Sequence, residues 1–134
     1  MANEAIITDL LGNGGDPIEY TVSSTGTIPK GSLLELEDVR TVKVMSASDK
    51  PVAGIAAMEK STDDETTTIS VYTNCIAKMY AGTTGVTVGQ QVVAEGAGNT
   101  VKNYDTLDSE TGDVLGYALE TATNGETVLI KVKK

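Results

Sequence analysis

From Ile18 the chain alternates apolar and polar residues, with Ile18, Tyr20 and Val22 on one side and Glu19, Thr21 and Ser23 on the other. A period of two marks a strand with one buried face. Similar short segments recur at Leu33 to Glu37, Val39 to Met45, Thr68 to Thr73, Cys75 to Tyr80, Val92 to Ala94, Val101 to Tyr104 and Thr127 to Val132. Turns rich in Gly, Asp, Asn and Ser separate them. Short strands at this spacing predict an all-β sandwich or barrel. The 19 threonines agree, because a branched β-carbon suits a pleated surface better than a helix.

The most apolar run, Pro51 to Met58, is Ala-rich, but Pro51, the internal Gly54 and its short length favour a buried strand over a helix. It has an echo at Val114 to Leu119. A glycine inside a strand weakens it unless it marks a bulge or a close backbone approach, and that is the reading for Gly54 and Gly116.

The echo belongs to a longer correspondence between residues of about 28–73 and 86–132. Ile28-Pro29-Lys30-Gly31 falls on Val86-Thr87-Val88-Gly89, Leu34 to Glu37 on Val92 to Glu95, and Thr41-Val42-Lys43 on Thr100-Val101-Lys102. Gly54-Ile55-Ala56 then falls on Gly116-Tyr117-Ala118, and Ile69-Ser70-Val71 on Ile130-Lys131-Val132. Each unit is a turn glycine, Gly31 or Gly89, followed by about four strands. A unit of ~45 residues has difficulty burying its own apolar face, so the two are expected to close against each other into one small β-barrel spanning 18–134. Closure also removes sheet edges.

Ahead of the barrel, residues 3–11 read either as a short helix capped by Asn3 and stopped by Gly12, or as an extended arm. Residues 12–17, Gly-Asn-Gly-Gly-Asp-Pro, are a flexible joint, which makes 1–17 an arm and linker. Ile6, Ile7, Leu10 and Leu11 on that arm are the candidate contacts to a neighbouring subunit or partner. On this reading, deleting the arm leaves the melting temperature nearly unchanged and weakens binding.

Composition narrows the function. Phe and Trp are absent and five tyrosines supply all the aromatic rings, so the core is thin and gains from oligomerisation. A net charge of −9 disfavours nucleic acid. No stretch approaches the ~20 apolar residues of a membrane helix, and no leader is evident, so the chain is expected to be soluble and made in the cytoplasm. Without histidine the commonest base and metal ligand is missing, and the single Cys75 reads as a small buried side chain. The acidic segments 105–113 and 59–65 read as solvated loops rather than cation sites, and the glycine-rich turns lack the features of a phosphate cradle. Neither an enzyme nor a cofactor is expected.

The ordered set Ile28 to Leu34, Val52-Ala53-Gly54-Ile55-Ala56, Gly89-Gln90-Gln91-Val92, Leu115 to Glu120 and Val128 to Val132 resembles the small cement, or decoration, proteins of tailed-phage heads. The resemblance covers 18–132. The chain departs from the family pattern at Asn74-Cys75-Ile76 and at Gln90. The resemblance implies a homotrimer on the outer surface of the virion, at three-fold and quasi-three-fold positions of the major capsid protein lattice, which it clamps against internal pressure. The alternatives are a soluble carbohydrate- or surface-binding β module, or an accessory domain of an enzyme.

Overall fold

A computed structural model describes residues 3–11, 17–23, 26–47, 50–61, 67–96, 98–104 and 114–134. They form eleven strands and no helix. Segment 3–11, open between helix and arm on sequence, is extended: β1 spans Ile6–Leu10. β2 (Ile18–Val22), β3 (Leu33–Asp38), β4 (Thr41–Val44), β5 (Val52–Ala56) and β6 (Thr68–Tyr72) follow. The second half contains β7 (Asn74–Ala81), β8 (Gln91–Glu95), β9 (Thr100–Asn103), β10 (Val114–Ala118) and β11 (Thr127–Lys133).

The fold is all-β and closed, but closure happens inside each repeat and not between them. Strands β2-β4-β3-β5-β6 form one closed barrel. Pairings β7–β9, β9–β8, β8–β10, β10–β11 and β11–β7 form a second circuit of the same topology. The parallel pair in each circuit, Thr21 with Thr41 and Tyr80 with Thr100, joins the first strand to the third. The repeat units read from sequence start after β2 and β7. With that fifth strand each unit closes on itself.

The equivalence holds bond by bond. Ile28 and Lys60 exchange backbone hydrogen bonds of 2.7 and 2.9 Å, and Val86 and Ala122 exchange bonds of 2.8 and 2.9 Å. Gly54 pairs with Leu34 as Gly116 pairs with Val92. One sequence anchor moves: Ala56 pairs with Val71 and Ala118 with Ile130, so Ile69-Ser70-Val71 corresponds to Val128-Leu129-Ile130. The alignment made from sequence was two residues out. A slip of two preserves the side-chain face, so alternation alone cannot detect it.

The interior of ring one is Ile28, Leu34, Val42, Ala53, Ala56, Ile69 and Val71. A larger apolar cluster fills ring two and continues into Leu33, Met45, Val52 and Ile55 of ring one, which joins the rings through one core. The part of ring one's outer face around Leu33 and Ile55 is therefore covered by ring two.

Candidate interaction surfaces

β1 lies on ring two. One edge of β7 is taken along its length by β11; the other holds β9 at residues 80 and 81 and β1 at Cys75 to Lys78. A bulge at Thr8 turns its hydroxyl to the Ile76 carbonyl at 3.0 Å. At its start the arm crosses to ring one, where the Ala5 N–H donates to the Gly31 carbonyl at 2.8 Å. Of the four apolar arm residues, Ile7 packs on the shared core and Leu11 is half-buried with its N–H on the Asn74 carbonyl, 3.2 Å. Ile6, 61% exposed, and Leu10 face outward. A groove of about 640 Å³ runs between the arm and ring one, with Glu4, Lys30 and Tyr72 in its walls.

The four glycines fall in two equivalent pairs. The Gly31 and Gly89 amides donate to the carbonyls of Ala56 and Ala118, 2.9 and 2.8 Å. A Cβ on Gly31 would lie 2.5 Å from the Ala5 carbonyl oxygen, whereas one on Gly89 would meet open space, because the arm covers only the first turn. Gly54 and Gly116 sit where the next strand's backbone comes close: a Cβ there would collide with the carbonyl oxygens of Tyr72 and Lys131.

Two polar groups at ring one's outer side escaped the sequence reading. Asn99, fully buried in the β8–β9 turn with φ of 59°, accepts the Leu33 N–H at 3.0 Å and ties the rings together. An asparagine tolerates this left-handed conformation, which explains its place in the turn. Glu35 is also buried: Ser46 donates to its Oε1 at 2.7 Å and Lys43 Nζ lies 3.4 Å away, bridging to Glu37 at 3.5 Å. Its Oε2 has no hydrogen-bond partner among the described residues. A hydrogen bond from Ser23, ahead of the attraction of Lys43, lowers the pKa of Glu37, and the Glu37 charge raises that of Lys43.

The two rings differ most at one set of equivalent positions. Leu33, Met45 and Ile55 are buried under ring two, with Tyr72 packed beside them. Their counterparts are Gln91, Tyr104, Tyr117 and Lys131, the first three exposed: Tyr117 pairs with Gln91 and Lys131 as Ile55 pairs with Leu33 and Tyr72, and the Tyr104 N–H bonds the Gln91 carbonyl as Met45 bonds Leu33. Lys131 Nζ stands 5.9 Å over the Tyr117 ring. A column-by-column comparison of the repeats carries this signal, since apolar positions in the first become polar or tyrosyl in the second.

Among the described residues no three His, Cys, Asp or Glu side chains group to hold a metal. Burial pushes the Cys75 thiol up to about 11, which keeps it protonated and unreactive near neutrality. The acidic stretch 105–113, most of 59–65 and the joint at 12–16 lie outside the described residues.

Family comparison places this architecture. The family model described as phage cement protein matches residues 12–134, which takes in both rings. The chain belongs to the phage cement protein family. As a cement-family chain it is a phage capsid-associated protein. Its fold is similar to the N base of the head fiber gp8.5 of bacteriophage phi29, with a TM-score of 0.56 at 18% identity over 87% of this chain and 93% of that one. No curated protein matches the sequence.

Proposed function

We propose that this cement-family chain acts without catalysis, as a clamp on the outside of an icosahedral phage head. It binds the major capsid protein at three-fold and quasi-three-fold positions as a homotrimer and stabilises the assembled lattice. Synthesis in the host cytoplasm precedes attachment. The observation that carries the reading is the family match across both rings. The exposed apolar side chains support it: Ile6 and Leu10 on the arm are the proposed contacts to capsid or neighbour, beside Ile7 and Leu11, which hold the arm in place.

A ligand that binds only the assembled shell stabilises it by mass action, so the protein needs many weak copies and no chemistry. The test is co-sedimentation with heads lacking the protein, followed by electron microscopy. Extra density over the three-fold positions and a higher temperature of head disruption are expected. Failure to pellet with heads, or density elsewhere on the shell, would overturn the placement. Binding to glycans in place of heads would favour the surface-binding module.

A further inference from the structure

The contact between the two rings is one-sided. Ring one contributes the strand face around Leu33 and Ile55, and ring two contributes β10, which lies against β5, and the β8–β9 turn, whose Asn99 accepts the Leu33 N–H. The internal duplication supplies a counterpart for each half: Gln91 stands where Leu33 stands, and Arg40 where Asn99 stands. Within the chain Arg40 turns to its own ring, with Nη2 2.8 Å from the Glu19 carbonyl and the guanidinium 5.9 Å over Tyr20. Arg40, a donor only, cannot accept the Gln91 N–H as Asn99 accepts that of Leu33, but the two counterpart surfaces are both present and both exposed.

We infer that these two surfaces bind each other between copies of this chain. The outer face of ring two, Gln91, Tyr104, Tyr117 and Lys131, receives the β3–β4 turn of the next copy. This inference rests on the self-association in the proposed function and specifies its interface. The chemistry of the two sides matches. Tyr104 and Tyr117 are 38% and 37% exposed, and aromatic rings with polar tips suit a contact face. The incoming turn offers Val39, 85% exposed, and the adjoining end of β3 offers the exposed Leu36. Beside them it carries Glu37 and Asp38, opposite in sign to Lys131.

Face and turn are different patches, so the interface is heterologous. Repetition by rotation closes such a contact into a ring, whereas an isologous patch stops at a dimer. Three copies closing head to tail give the trimer. The same covering that buries Leu33 and Ile55 within the chain would bury Gln91 and Tyr117 between chains, and this accounts for tyrosines on the outside of a chain with five aromatic residues.

The experiment uses two full-length variants, Tyr117→Glu on the face and Val39→Glu on the turn, with masses measured by sedimentation equilibrium. The parent is expected to be a trimer. Each variant alone is expected to be a monomer, with association weakened at least about tenfold. Mixed one to one they keep one intact face and one intact turn between them, and a heterodimer that grows no further is the expected product. Both substitutions lie at exposed positions; should Tyr117→Glu melt early, Tyr104→Glu replaces it on the same face. A monomeric parent, variants that assemble as the parent does, or a mixture that stays monomeric would each overturn the inference. Pelleting with heads is a separate readout, so head binding by a monomeric parent would leave the capsid reading standing.

Discussion

At the scale of the residue, the tightest constraint is Gly116, whose added Cβ would strike the Lys131 carbonyl, a backbone atom that cannot swing aside. Gly116→Ala should destabilise the protein by at least about 2 kcal/mol in urea unfolding, because overpacking against a ladder forces the strands apart. Gly89→Ala, with open space and a φ of 82°, meets conformational strain alone and should lose about 1 kcal/mol. Asn99 combines a buried acceptor with a left-handed backbone. Asn99→Gly keeps the backbone and strands the Leu33 N–H, which should lower stability by about 1–3 kcal/mol. Glu35→Val copies Val93 of the second ring and replaces a buried carboxylate with one oxygen unpartnered among the described residues. That variant should be as stable as the parent or more so, since the exposed Lys43 left behind can hydrate. Cys75 has a pKa raised by burial from 9.0 to about 11. The protonated thiol favours the fold, so its contribution is complete below pH 9.0 and is lost as pH rises toward 11. Thiol labelling at pH 8 should be slow in the native protein and fast in denaturant, and rapid native labelling would contradict the burial.

Among elements, β1 decides how the arm should be regarded. A strand of five residues is too short to stand by itself, and this one is held by the free part of the β7 edge, by Ala5 on Gly31 and by Ile7 on the core. It covers an edge of ring two that would otherwise invite pairing with other chains. On ring one, the Arg40 guanidinium takes the Glu19 carbonyl of β2, and Pro17, just ahead of that strand, has no N–H to offer. Deleting residues 1–11 is therefore expected to lower stability by about 2–4 kcal/mol as well as to weaken head attachment. An unchanged melting temperature would return the arm to the role of a loose tether.

For the whole molecule, the shared core implies cooperativity. Leu33, Met45, Val52 and Ile55 of ring one belong to the cluster that fills ring two, so unfolding either ring strips apolar cover from the other. Calorimetry should show one transition, and two resolved transitions would mean that the rings are separable. The same core explains how a chain without Phe or Trp is folded: two small barrels, lined by Val, Ile, Leu and Ala with Met79 in the second, share an apolar layer that includes Leu33, Met45, Val52 and Ile55. Exposed tyrosines on ring two, Val39 on the β3–β4 turn, and Ile6 and Leu10 on the arm are the surfaces proposed for assembly.

The strand periodicities, the turn glycines and the duplication were legible in the sequence because each is a local or pairwise pattern: alternation sets faces, and two similar strings imply two similar folds. The cement-protein resemblance came from the order of those same anchors. Tertiary structure decided the rest. Whether two units close together or singly depends on a fifth strand, β2 or β7, whose partner lies at the far end of its own unit, and no local pattern records that pairing. The arm could have been helix or strand, because Ile6, Ile7, Leu10 and Leu11 fit a helical stripe; the unpaired stretch of β7 selects the strand. Burial of Asn99 and Glu35, and exposure of Tyr117 where its counterpart Ile55 is covered, follow from how one ring sits on the other. Compared column by column, the repeats mark Leu33, Met45 and Ile55 as the more apolar of the two equivalent faces, but only the docking of the rings shows what covers them.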